Sequence, residues 1–192
     1  MKERPITFSG LMVRAILDGT KTQTRRVLKD GFWNWWQVND PVCLSRMRCP
    51  YGVPGDRLWV REAFSRDILC DGKHGIAYRA DGDDQINREE GEYWRSAVHM
   101  PRWASRITVE ITDVRAQRIN QISAQDAIAE GISPIPRSAG PNFFSHRTDL
   151  GWYCAPTAQE CFWHLWDSIN AKRGYGCAAN PWVWALTFRR LT

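Results

Sequence analysis

Residues 107–112 alternate without interruption: Ile107, Val109 and Ile111 are apolar, while Thr108, Glu110 and Thr112 between them are polar. A period of two sends the apolar set to one face of an extended chain, so this segment predicts a half-buried strand. Three helical segments accompany it. Ser9 can cap a helix in which Leu11, Met12, Ala15, Ile16 and Leu17 recur at helical spacing, with Gly19 ending it in a left-handed turn. Ser123 and Asp126 open a second, with Ala127 and Ile128 as its apolar face and Gly131 at its end. Thr157 and Glu160 form a capping box for a third, which carries Phe162, Leu165, Trp166 and Ile169 at spacings of three and four.

Further strands are predicted at Ile6-Thr7-Phe8, over 55–62, over 75–80 and over 182–188, where aromatic and β-branched residues dominate. Residues 31–54 read as a connector rich in tryptophan and proline, and 81–92 as a solvated acidic loop. Residues 134–153, rich in Pro, Gly, Ser and Asn, read as an irregular insertion. The length of 192 residues favours one elaborated domain. No apolar run is long enough to cross a membrane.

Lys and Arg number 26 against 21 Asp and Glu, a formal charge of +5 that suits a polyanionic partner without requiring one. Arginine dominates the basic side, and guanidinium groups grip phosphates while indole faces stack on bases. Most of the 11 tryptophans are nonetheless expected in the core. The six cysteines form no C-x-x-C pair and follow no secretory signal, so they read as reduced thiols of a cytoplasmic protein. Cys154, Cys161 and His164 sketch a zinc site, but a fourth ligand and the usual spacing are missing.

The chemistry-bearing segment is Gly19-Thr20-Lys21-Thr22-Gln23-Thr24-Arg25-Arg26, read as a basic turn after the first helix. A lysine and a threonine three residues apart can act as base and nucleophile, and the paired arginines suit a phosphate-bearing substrate. In an extended chain those two residues would point to opposite faces, so cooperation requires the backbone between them to curl. Trp59, Glu62 and Trp103 are further candidates to frame a base, by stacking or hydrogen bonding. Asp56, in Pro54-Gly55-Asp56, is expected to serve neighbouring backbone N–H groups, and His99 to be polar surface.

The basic segment, the run Pro54-Gly55-Asp56-Arg57-Leu58-Trp59-Val60-Arg61-Glu62 and the helix ending at Glu130-Gly131 together resemble the ASCH domain, a relative of the PUA-type RNA-binding barrels. The likeness to large ASCH proteins of bacteriophages and prophages runs nearly end to end. It includes Cys49-Pro50-Tyr51-Gly52, the stretch from His99 to Arg106, and Asn180-Pro181-Trp182-Val183-Trp184. The resemblance implies a mixed α/β fold on a PUA-like β-barrel, with flanking helices and long insertions around 29–52, 63–104 and 132–156.

Some compact ASCH proteins are amidohydrolases that remove the acetyl group of acetylcytidine with a lysine, a threonine and a glutamate. Their lysine and threonine match Lys21 and Thr24, and element order matches their glutamate to Glu130. The resemblance then implies Thr24 as nucleophile, Lys21 as base, Glu130 as acid or orienter, and Arg25 and Arg26 as phosphate or substrate contacts. It calls for no metal and no cofactor. The expected partner is RNA or a modified nucleoside or nucleotide. A non-catalytic RNA-binding module and a ribonuclease are the alternative readings.

Overall fold

A computed structural model describes residues 1–28, 48–68, 74–81, 94–135, 143–148 and 151–192. The alternating segment lies in the long strand of a five-stranded sheet made of β1 (Glu3–Thr7), β2 (Gln23–Val27), β3 (Arg57–Arg61), β6 (Thr108–Arg118) and β10 (Trp182–Arg190). The order is β1-β3-β6-β10-β2; β1 runs parallel to β3 and the remaining pairs are antiparallel. Helix α1 (Gly10–Leu17) covers one face, while α2 (Ala124–Ala129) and α3 (Ala158–Asn170) cover the other.

Side-chain parity explains the two cores. Trp184, Leu186 and Phe188 of β10 join Phe8, Val13 and Ile16 on the α1 side, whereas Val183 joins Ala127, Phe162 and Trp166 on the other. On β6 the same α1-side core receives Val109 and Ile111, then Val114 and Ala116. That switch from odd to even positions follows from a bulge: Thr187 pairs with Asp113 and Phe188 with Ile111, so Thr112 is the extra residue.

The mixed α/β architecture agrees with the sequence, but the five-stranded sheet does not close into a barrel. Its edges are β1 and β2. Just before β2, Thr22 donates its N–H to Ala129 at the end of α2, and Lys21 forms a β-bridge with Glu130. The approach to the β2 edge is thus occupied by the α2 terminus.

Several boundaries differ from those predicted. The basic turn is confined to the residues before Gln23; from there to Val27 the chain is an edge strand paired with β10. Its polar residues conceal the strand because Gln23 is buried with a hydrogen bond to Asp126, and Arg25 with ion pairs to Asp126 and Glu130. The 134–153 insertion contains strands β8 (Phe144–Thr148) and part of β9 (Gly151–Ala155), which form a small antiparallel sheet with the short β7 (Ser133–Pro134). Residues 63–104 contain another hairpin, β4 (Phe64–Ile68) with β5 (His74–Tyr78). Most of the 29–52 insertion, Cys43 and Cys70 lie outside the described residues. Ile128, assigned to the apolar face of α2, is exposed, and Ala127 alone of that pair is buried. Among the described residues no helix is long and apolar enough to cross a membrane.

Candidate active site

The end of α1 places the first site residue. Gly19 adopts φ +73°, and after it Lys21 donates its backbone N–H to Ala15 at 2.9 Å, turning the chain back on the helix. At the end of α2, Gly131 has φ +100°, and a Cβ there would lie 3.5 Å from the Cβ atoms of both Ala15 and Lys21. This close approach brings Glu130 against Lys21. The lysine Nζ donates to Glu130 Oε2 at 2.6 Å and to the Glu130 carbonyl at 2.8 Å.

The second carboxylate oxygen, Glu130 Oε1, accepts from Arg25 Nη1 at 3.1 Å. Arg25 Nη2 in turn donates to Asp126 Oδ2 at 2.9 Å, and Gln23 Nε2 donates to Asp126 Oδ1 at the same distance. Asp126 and Glu130 lie one helical turn apart, so both carboxylates face β2. The cluster is deep: Lys21 is 2% exposed, and Glu130 and Arg25 are also buried. Burial lowers the Lys21 pKa below its ordinary value; the Glu130 carboxylate opposes that shift, and the charges of Arg26 and Arg25 add to it.

Arg25 is therefore held by two internal carboxylates and is not disposed to grip a phosphate. Arg26 differs. It is half-buried over the Phe8 ring at 5.0 Å and donates to the Thr7 carbonyl at 2.6 Å, while its Nε has no hydrogen-bond partner. Among the described residues it has no carboxylate partner. Thr24 shares the Arg26 face of β2 by alternation and is buried. The Lys21 amine also approaches Phe8, with Nζ 5.9 Å from the ring centre. The Phe8 ring is thus a common neighbour of Lys21 and Arg26.

The remaining candidates lie elsewhere. β3 is separated from β2 by β6 and β10, roughly 14 Å across the sheet at ~4.8 Å per strand. Trp59 is buried on β3, with the Arg61 guanidinium 4.8 Å from its ring. Glu62 is buried and accepts from Arg106 Nε at 2.9 Å and Nη2 at 3.0 Å; burial raises its pKa against the pull of that guanidinium. Trp103 is 62% exposed. Asp56 accepts the backbone N–H groups of Lys2 and Val53, the service expected of it, and also pairs with Arg4.

The signal missed in the sequence is the pair Asp126 and Glu130. Their spacing of four marks one helix face, whereas the cap pattern points to Asp126 only as a helix-start residue. Phe8, read as part of a strand, instead supports both Lys21 and Arg26 through its ring.

A second polar cluster contains the sketched zinc residues, differently connected. His146 Nδ1 lies 3.5 Å from Cys161 Sγ, whereas its Nε2 lies 3.3 Å from His164 Nδ1. Burial pushes the Cys161 thiol up to about 11, and the thiol donates to the Phe144 carbonyl, as a core cysteine does. Among the described residues no group of three or more His, Cys, Asp or Glu is placed to hold a metal ion.

Burial, aided by the neighbouring His164 charge, lowers the His146 pKa to about 4 from 6.5. Between those values the unfolded chain binds a proton that the folded protein refuses, so stability is lost as pH falls from 6.5 toward 4. The loss is expected to reach up to about 3 kcal/mol. Urea unfolding at a series of pH values checks this, and His146→Gln should flatten the decline. An equally steep decline in the variant would assign it to other groups.

No protein-family model matches the sequence, and no curated protein matches it. Two solved structures are similar. One is an ASCH domain from Lactobacillus crispatus JV V101, 14% identical, with a TM-score of 0.44 over 98% of this chain and 79% of that one. The other is a protein of Enterococcus faecalis V583 assigned to the family DUF984, 11% identical, with a TM-score of 0.44 over 100% of this chain and 80% of that one.

Proposed function

We propose that this chain is a hydrolase that removes an acyl group from the exocyclic amine of a modified cytidine. The observation that carries the reading is the buried pair in which Glu130 accepts two hydrogen bonds from Lys21 Nζ, at 2.6 and 2.8 Å. Those two bonds orient the amine and leave one position on nitrogen for the reacting proton. Burial favours the neutral amine, which is the form that can act as a base.

In this mechanism neutral Lys21 takes the hydroxyl proton of Thr24 as Oγ1 attacks the amide carbonyl carbon. The resulting tetrahedral oxyanion is stabilised by Arg26, whose Nε is without a partner and which forms no ion pair with a described carboxylate. The C–N bond then breaks, and the lysine ammonium returns the proton to the departing amine. Water attacks the threonine ester with Lys21 again as base, releasing the carboxylic acid and restoring the hydroxyl. Glu130 positions Lys21 throughout, and Arg25 with Asp126 holds Glu130.

The test is incubation of the purified chain with a panel of acylated nucleosides and short RNAs, followed by mass analysis of the products. Cytidine released from N4-acetylcytidine is the expected result, at a rate that climbs with pH as Lys21 loses its proton and levels off below the ordinary lysine value of 10.5. Binding of short RNA without any product would replace the hydrolase with a non-catalytic RNA-binding module.

A further inference from the structure

We infer that the cleft between α1, β9 and α3 binds an uncharged, ring-bearing molecule of nucleoside size, with the exposed Trp152 indole as its stacking face. The cleft has a volume of about 390 Å³ and includes Glu130 in its lining. That size falls in the ~300–1,000 Å³ range of small-molecule sites. Lys21 and Thr24 do not border it; both are buried, and Lys21 packs against the Gly131 that does.

The walls have a specific origin in the sequence. Helix α3 buries Phe162 and Trp166 in the core, and its residues Leu165 and Ile169, four apart, line the cleft, Leu165 also packing against that core. Met12 of α1 faces the same space, and Trp152 stands on β9 with 70% of its surface exposed. A large exposed indole beside an apolar-walled concavity offers a ring ligand one flat face and removes its own apolar surface from water when the ligand binds.

The charge of the lining selects against a phosphate. Among the described residues Arg14 is its one arginine and already donates to the Ala80 carbonyl at 2.6 Å; the exposed Asp18 carboxylate offsets its charge. Glu130 is already ion-paired with Arg25 and hydrogen-bonded by Lys21, and the two nitrogens of His146 face Cys161 and His164. With no surplus of positive charge among the described lining residues, a phosphorylated ligand gains nothing from them over its neutral parent, whereas Ser145 provides a hydroxyl for a polar edge. The inference rests on the hydrolase reading in taking the ring to be cytidine.

Calorimetric titration of the intact chain with cytidine and with cytidine 5′-monophosphate tests it, together with the surface variants Trp152→Ala and Ile169→Trp. Cytidine should bind, its monophosphate should bind no more tightly, and Trp152→Ala should weaken cytidine roughly tenfold or more. Ile169→Trp, which fills the cleft, should also weaken binding. No binding of cytidine, a tenfold preference for the monophosphate, or affinity unchanged in both variants would overturn the inference. Turnover of N4-acetylcytidine with KM unaltered by both variants would defeat the cleft assignment and leave the hydrolase standing. Variant-sensitive binding of cytidine without turnover would have the opposite meaning.

Discussion

Glu130→Ala is expected to destabilise the fold by about 3–5 kcal/mol, because it leaves the buried Lys21 amine without its only described carboxylate. For a chain of this length the corresponding fall in Tm is roughly 6–20 °C. Arg25 would suffer less, since it keeps Asp126. The effect belongs to the pair, so a double-mutant cycle is the informative form: Lys21→Met and Glu130→Ala should each be costly, and the double variant should lose at least about 2 kcal/mol less than the sum. Urea midpoints for the four proteins measure this. Additive losses would show that the two side chains do not act as a buried unit. The pair also has a signature in pH. Because the folded Lys21 pKa lies below 10.5, the unfolded chain binds more protons in the interval between, and Lys21's contribution makes stability rise with pH there.

Thr24→Ala should reduce turnover of N4-acetylcytidine by on the order of 10³-fold or more, as loss of a nucleophile does, while the unfolding midpoint changes little. The dissociation of the two effects matters. Among the described residues the Thr24 hydroxyl makes no hydrogen bond, so its removal breaks no described polar network. Thr24→Ser keeps the hydroxyl and should retain part of the activity. Lys21→Arg should fail, because a guanidinium remains protonated and cannot take the proton. Equal rates for wild type and Thr24→Ala would remove Thr24 from the chemistry.

The sequence made the layers legible where periodicity was strong. Ile107, Val109 and Ile111 are buried as their alternation requires, and Ser123 and Thr157 accept the backbone N–H groups of Asp126 and Glu160 as their cap positions require. It concealed β2 because a strand whose buried face is Gln23 and Arg25 carries no apolar alternation. It also concealed the open sheet: whether β1 and β2 meet depends on where α2 ends, over a hundred residues beyond β2 in the chain. Within the site, Lys21 and Glu130 were identifiable as residues, but their contact was not. The division of labour between the adjacent arginines was equally hidden, since one step along a strand sends Arg25 to two carboxylates and Arg26 to the ring of Phe8.

The role of Thr24 can be read most directly by acid-quenching the wild-type protein during turnover of N4-acetylcytidine and locating the acetyl group by peptide mass analysis. The expected finding is an acetyl ester on the peptide that contains Thr24, formed as cytidine appears and absent from Thr24→Ala. Cytidine released with the acetyl group on a different residue, or at an undiminished rate from Thr24→Ala, would contradict the assignment.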